Sequence, residues 1–234
     1  MTFTVLAHCP KTQKSGFCQA TSTPAVGWRC TDVVFGHGLV TVQAHGDYRQ
    51  LQLAKRLMEF GYSPVKVLKE LSEDDKYFDF RQIAILDLHG NSAVNTGTRA
   101  RPWAGEIVGR DYVVTGNVLV GEEVVKAMAR SFQATTGQEI EERLLQAVEA
   151  GRDAGGQAEG QTSCALVVYQ HHTFPIVNLR VDVALEPIAE MRKILNWYKP
   201  LIPYYISRTL DPTSVVPKKA MLEKMGLPVN PYAT

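Results

Sequence analysis

Residues 2–8 have the sequence TFTVLAH, and they predict that the chain enters a β-strand at its second residue. β-Branched and apolar residues are favoured in strands, and residues 10–16, which follow, are rich in turn-forming types. Further strands are predicted at 17–23, 28–34 and 39–44. Strands in series with such short connections indicate an antiparallel sheet.

Beyond these strands, the spacing of apolar residues alternates between helical and extended stretches. Two helices are predicted between residues 47 and 72, then strands at 81–88, 92–96, near 107 and at 112–115, two more helices, strands at 164–169 and 176–181, and a helix at 187–198. Two stacked antiparallel sheets with helices outside each would bury all the apolar faces. We therefore predict the α+β class, as a four-layer αββα sandwich.

The chain is predicted to hold one domain, residues 1–195, followed by a different segment, residues 196–234. The second segment is rich in proline and aromatic residues, and only residues 218–225 are predicted to form a helix in it. A segment this apolar is expected to pack on its own domain or on a partner subunit, which favours a homodimer.

Composition and charge exclude several classes of function. The net charge of +1 gives no attraction to nucleic acid or to an anionic membrane. The first residues lack a basic region and a long apolar run, so no signal peptide is expected and a cytoplasmic location is favoured. None of the four cysteines lies in a CxxC pair, and no metal or other cofactor is expected.

Thr2 is the first residue whose chemistry suggests a function. Methionine aminopeptidase removes Met1 before a small residue, which would leave Thr2 with a free α-amine beside its hydroxyl. The amine, with a pKa of about 7.7–8.0, is a base within reach of that oxygen. One residue would then supply both nucleophile and base. Threonine is also simply a good strand former.

Short motifs along the chain carry a resemblance to a known family. They are TFTVLA at 2–7, PAVG at 24–27, TVQA at 41–44, RQ at 81–82, PWAG at 102–105, TGNVLVG at 115–121, ERLL at 142–145, AGG at 154–156, GQT at 160–162 and LRVD at 179–182. In this order they resemble the bacterial family called domain of unknown function 1028, of the N-terminal-nucleophile (Ntn) hydrolase superfamily. The resemblance implies the αββα fold and an N-terminal nucleophile, and it implies no substrate.

The chain also departs from related patterns. Proteasome-like threonine hydrolases place an aspartate and a lysine near the nucleophile, whereas Arg29 and Asp32 are the only charged residues in the second and third predicted strands. Gln19 and Thr21 stand where the family commonly has small apolar residues. These departures leave the auxiliary residues open.

Three places in the sequence are candidates for assisting Thr2. Gly46, at a junction between strand and helix, is a candidate to donate its N–H to an oxyanion, or it merely permits a tight turn. Asn117 is a second candidate, for the oxyanion or the Thr2 amine, or a helix cap. Thr21 or Ser22, or the neighbouring Thr23, is expected to hydrogen-bond the Thr2 amine, but alternation does not choose among them.

Candidate substrate contacts are more scattered along the chain. They are Gln43, His45, Trp103, Gln161, Arg180 and Asp182. Arg180 and Asp182 alternate on one strand face, where a structural ion pair is the other interpretation. A metal site built from Cys30, His37 and His45 matches no ligand spacing and receives little support.

The leading hypothesis is an amidohydrolase that cleaves a small amide, a cyclic amide or a short peptide through an acyl-Thr2 intermediate. The alternative is a protein that keeps the fold and binds a ligand or a partner without catalysis.

Overall fold

The computed structural model describes residues 1–230 and has two antiparallel sheets. The larger sheet has six strands in the order β10-β9-β2-β1-β8-β7, so that the N-terminal strand is central. Its strands are β1 (Thr2–Cys9), β2 (Lys14–Thr21), β7 (Ala104–Gly109), β8 (Tyr112–Asn117), β9 (Ser163–Tyr169) and β10 (Val177–Val181).

The smaller sheet has four strands in chain order and faces the larger one. Its strands are β3 (Thr31–Val34), β4 (Gly38–Ala44), β5 (Arg81–Asp87) and β6 (Ser92–Thr96). The helices are α1 (Tyr48–Glu59), α2 (Pro64–Asp74), α3 (Glu123–Ala134), α4 (Ile140–Asp153), α5 (Pro187–Tyr198), α6 (Ile202–Leu210) and α7 (Lys218–Met225).

Three apolar clusters separate four layers. One cluster lies between the larger sheet and α3, α4 and α5, a second between the two sheets, and a third between the smaller sheet and α1 and α2. The predicted α+β class and αββα sandwich are therefore confirmed. Side chains along β1 alternate between two of these clusters. Phe3, Val5 and Ala7 belong to the helix-facing cluster, and Leu6 belongs to the cluster between the sheets.

Several segments differ from the sequence prediction. β2 begins at Lys14, within the stretch predicted to be a turn, and ends at Thr21, before residue 23. Residues 28–34 were expected to be a strand, but a 3₁₀ turn occupies Val26–Trp28 and the strand begins only at Thr31. The N–H of Arg29 donates to the carbonyl of Val26 at 3.2 Å, a turn hydrogen bond that an extended strand does not make. The second helix was predicted to end by residue 72, but α2 continues to Asp74.

The C-terminal segment contains a helix that was not predicted, α6. Pro203 argued against a helix there, yet it lies in the first turn, where the missing N–H costs nothing. The predicted helix at 218–225 is present as α7. Ile202 packs against the helix-facing cluster, and the Trp197 indole donates to the carbonyl of Pro228. Residues 231–234 of the predicted tail lie outside the described residues. No helix within residues 1–230 is long and apolar enough to cross a membrane.

Candidate functional site

A cavity of about 370 Å³ opens at the end of the sandwich where β1 begins and β2, β4 and β8 end. This volume is typical of a pocket for a small molecule. The cavity is lined by Met1, Thr2, Thr21, Thr23, Val26, Trp28, Arg29, Cys30, Gln43, Ala44, His45, Gly46, Tyr48, Arg101, Asn117 and Val118.

The strand register puts three polar residues side by side on the cavity wall. Thr2 pairs with Thr21 of β2 on one side and with Asn117 of β8 on the other. Directly opposed residues point to the same face of a sheet, so the three side chains form a row. The Thr2 hydroxyl donates to Thr21 Oγ1 at 3.3 Å, and the Thr21 hydroxyl donates to the carbonyl of Met1. In any threonine the backbone nitrogen lies close to the side-chain hydroxyl, and here Thr2 lines the cavity.

Asn117 is held from the opposite sheet. Its side-chain Nδ2 donates to Gln82 Oε1 at 3.0 Å, and Gln43 Nε2 donates to the same oxygen at 2.8 Å. The two N–H groups of Gln82 Nε2 lie within hydrogen-bonding distance of Thr96 Oγ1 and of two backbone carbonyls of the larger sheet, those of Gly105 and Gly116. The Oδ1 atom of Asn117 is buried and has no hydrogen-bond partner among residues 1–230. The amide is thus oriented with its acceptor atom unoccupied.

Gln82 was not predicted as a site residue. The sequence feature that could have indicated it is a glutamine at the start of a largely apolar predicted strand. The RQ motif at 81–82 served only to support the family resemblance. A fully buried amide needs partners, and here they lie on both sheets.

The turn between β4 and α1 brings backbone close to the cavity. Ala44 has a left-handed backbone with φ 69°. A Cβ atom on Gly46 would lie 2.9 Å from the carbonyl oxygen of Val42, so only glycine fits without a shift. The N–H of Gly46 donates to no acceptor among residues 1–230. The turn therefore offers a backbone donor on the wall of the cavity that also carries Thr2.

The segment 22–30 forms a second wall and supplies residues that were not predicted to contact substrate, Trp28 and Arg29. Gln19 holds it from below, because its Nε2 donates to the carbonyl of Val26 at 3.0 Å and its Oε1 accepts from the Thr31 hydroxyl at 2.5 Å. The unusual polarity of β2 at Gln19 thus has a structural role in anchoring this wall.

Thr162 and Ser163 tie the same segment to the start of β9. The Thr162 hydroxyl donates to the carbonyl of Ser22 at 3.0 Å, and the Ser163 hydroxyl donates to the carbonyl of Thr23 at 2.7 Å. These two residues hold the wall in place from outside the cavity lining.

Arg101 enters the cavity from the connection between β6 and β7, and it was also not predicted. Its carbonyl accepts from the N–H of Val118 at 3.2 Å, which fixes it beside the end of β8. Val118 has a left-handed backbone with φ 54°. Isolated arginines in loops carry no sequence pattern that distinguishes a binding residue from a solvated one.

Burial and charge alter the chemistry of the groups at the cavity. Burial lowers the pKa of the Met1 α-amine below its ordinary value, and the positive charges of Arg101 and Arg29 lower it further. Burial also raises the pKa of the Cys30 thiol to about 11, so this thiol stays protonated at neutral pH. The amine is accordingly the group whose pKa is shifted towards the range of a base at neutral pH.

The structure brings together seven of the twelve residues predicted for the site. They all line the cavity, and they are Thr2, Thr21, Thr23, Gln43, His45, Gly46 and Asn117. Ser22 contacts the Met1 side chain, with Oγ 3.4 Å from the sulfur, but does not line the cavity.

The other four predicted residues lie away from the cavity lining. Trp103 packs against the helix-facing cluster, and Gln161 lies beside Gly156. Arg180 and Asp182 form a surface ion pair at 2.9 Å, as the structural interpretation predicted.

The residues considered for a metal site are also separated. His37 and His45 lie at opposite ends of β4, more than about 20 Å apart along a strand. Within residues 1–230, no three His, Cys, Asp or Glu side chains are grouped so that they would hold a metal ion.

Comparison with known proteins identifies the family. A crystal structure of a protein from Silicibacter pomeroyi, described as a DUF1028 member, is similar with a TM-score of 0.77 and 27% identity, over 84% of this chain and 88% of that one. Anbu, an ancestral β-subunit from Yersinia bercovieri, aligns with a TM-score of 0.44 and 13% identity, over 87% of this chain and 96% of that one. No curated protein matches the chain. The model of the family of unknown function DUF1028 matches residues 2–191, and the chain belongs to that family.

Proposed function

We propose that this protein is an amide hydrolase of the Ntn superfamily, in which Thr2 becomes N-terminal and acts as the nucleophile. The observation that carries the proposal is the place of Thr2. It opens the central strand at a small-molecule cavity, between Thr21 and Asn117. A strand in the middle of a sheet holds its end residue still, as a preorganised nucleophile requires.

Removal of Met1 is the first requirement, because the nitrogen of Thr2 is an amide and no base while Met1 is attached. The released α-amine would lie near Arg29 and Arg101, in surroundings that lower the pKa of the Met1 amine. A lowered pKa increases the share of the amine that is unprotonated at neutral pH and able to accept the hydroxyl proton. The unoccupied Oδ1 of Asn117 is the acceptor that would orient it.

Acylation then follows from these positions. The Thr2 oxygen attacks the amide carbon, and its proton passes to the α-amine. The N–H of Gly46, which has no protein acceptor, would donate to the oxyanion. The protonated amine gives its proton to the leaving nitrogen as the C–N bond breaks, which leaves an ester on Thr2. Water, deprotonated by the same amine, attacks the ester carbon. The C–O bond to Thr2 breaks as the amine returns the proton to the Thr2 oxygen, and the acid leaves.

The test is the intact mass of untagged protein before and after exposure to a β-lactone, which acylates N-terminal threonines. We expect the loss of Met1 and a single adduct that maps to Thr2. Thr2→Ser should keep the adduct and Thr2→Ala should lose it, since both residues permit removal of Met1. Retention of Met1 would overturn the mechanism. So would a Met1-free protein that reacts with none of a set of β-lactones of decreasing size.

One observation favours the alternative of a non-catalytic binding protein. Within residues 1–230, no lysine, aspartate or glutamate lines the cavity to assist the nucleophile. A Thr2→Ala protein that fully complements a deletion strain would support this alternative.

A further inference from the structure

Arg29 and Arg101 line the cavity, and among residues 1–230 no aspartate or glutamate does. Glu159 lies outside the lining, near enough for its charge to act on the Met1 amine. Neither arginine forms an ion pair with any carboxylate in residues 1–230, whereas Arg81 on the neighbouring strand is paired with Asp75 at 2.7 Å. A guanidinium in a concave site without a partner attracts an anion from solution.

Arg29 is fixed in position and has hydrogen-bonding capacity left. Its Nη2 donates to Thr23 Oγ1 at 2.6 Å and to the carbonyl of Pro24 at 2.8 Å. Its Nε has no acceptor among residues 1–230, but it is buried and out of reach of a ligand in the cavity. Its Nη1 also donates to no acceptor among residues 1–230 and is not enclosed, so it is the group that can meet a ligand. A planar guanidinium forms paired hydrogen bonds with a planar anion such as a carboxylate. The two arginines lie on opposite sides of Thr2, beside the ends of β2 and β8.

The mouth of the cavity carries an apolar surface of a defined shape. Trp28 and Tyr48 line it with side chains 54% and 50% exposed, and their rings meet edge to face at 5.7 Å. Exposed aromatic side chains at a pocket mouth favour contact with an apolar or planar group of a ligand.

We infer that the cavity takes a small molecule with a carboxylate and an apolar group, bound through Arg29 and Arg101 and through Trp28 and Tyr48. The substrate class rests in addition on the proposed function. It is an amide with a free carboxylate, such as an N-acyl amino acid or a short peptide. Binding of the anion itself requires no catalysis and is tested apart from it.

The experiment measures binding to the Thr2→Ala protein by isothermal titration calorimetry. The probes are N-acetyl-L-phenylalanine and its neutral primary amide, which differ in charge and little in shape. We expect the anion to bind at least about tenfold more tightly, and Arg29→Gln or Arg101→Gln to remove most of that preference. Arg110→Gln is the matched control, because Arg110 is 96% exposed and lies outside the cavity lining.

Equal affinity for the two probes, or no heat of binding for either up to millimolar concentration, would overturn the inference. So would an anion preference that Arg110→Gln reduces as much as the cavity variants do. Thermal unfolding of each variant checks that it is folded. A protein that prefers the anion but forms no lactone adduct would disprove the proposed hydrolase and leave this inference standing.

Discussion

Asn117 and Gln82 join the two sheets through a hydrogen bond of 3.0 Å between Asn117 Nδ2 and Gln82 Oε1. Gln82 Oε1 also accepts from Gln43 Nε2, and Gln82 Nε2 lies within hydrogen-bonding distance of three oxygens, so Gln82 serves polar groups on both sheets. The position of Asn117 beside Thr2 therefore depends on a residue that does not line the cavity.

Replacing Gln82 should destabilise the protein as well as the site. Gln82→Leu keeps a similar volume but leaves several buried donors and acceptors unpaired, and we expect the free energy of unfolding to fall by about 2–5 kcal/mol. Urea unfolding measures it. Gln138→Leu, at an exposed position, is the control and should change stability by less than about 0.5 kcal/mol. Similar effects from the two variants would disprove a structural role for the amide network.

Gly46→Ala should slow acylation of Thr2 more than it destabilises the fold. The added Cβ would meet the carbonyl of Val42 at 2.9 Å and displace the turn that presents the Gly46 N–H. Loss of one oxyanion donor costs about 10²–10³ in rate. The rate of β-lactone labelling measures it. Gly121→Ala is the control, since no atom lies within 4 Å of its Cβ position, and it should label at the rate of the parent protein.

The pH dependence of labelling should report the environment of the α-amine. Burial and the charge of Arg101 lower the pKa of the amine at this place. We expect the labelling rate of the Met1-free protein to rise with pH and reach half its maximum below pH 8. Removing a neighbouring positive charge favours the protonated amine, so Arg101→Gln should move the midpoint to higher pH. Arg110→Gln should leave it unchanged, and a midpoint that moves equally in both variants would contradict the assignment.

Arg192 should stabilise the packing of α5 on α4 in a pH-dependent way. It donates to Glu142 at 2.5 Å and to Glu149 at 2.7 Å and 2.8 Å, all with largely covered side chains. Burial acts to raise the pKa of Glu142, but the hydrogen bond and charge of Arg192 outweigh it and lower the pKa. We expect Arg192→Met to reduce the free energy of unfolding by about 2–4 kcal/mol at pH 7.

The sign of the pH effect follows from the lowered pKa of Glu142. The stabilisation that Glu142 gives the folded state is fully present above its pKa in the unfolded chain, about 4.3. It is lost as the pH falls through the lower pKa of Glu142 in the folded state. The difference between parent and Arg192→Met should therefore shrink below pH 4, as measured by chemical unfolding across pH. Arg130→Met, which removes an exposed pair with Glu123, is the control and should cost no more than about 1 kcal/mol at any pH.

The sequence predicted the layers because alternation in strands such as β1 and helical spacing in α3 directly reflect which face is buried. It also predicted Thr2, Thr21, Gly46 and Asn117, which lie at strand ends that antiparallel pairing brings to one edge. The remaining lining residues could not be predicted, because Trp28 and Arg101 belong to connections whose path depends on tertiary contacts. Periodicity says nothing about such contacts.

Both strands and the connections between strands supply residues to the cavity. This difference affects how ligand preference changes among relatives. Thr2, Thr21 and Asn117 belong to strands, whereas Trp28, Arg29 and Arg101 belong to connections between strands. Side chains on connections can be exchanged without disturbing a strand ladder. Members of the family are therefore expected to sort into ligand classes by the residues at positions 28, 29 and 101, and overall identity should be a poor guide to which of them share a substrate.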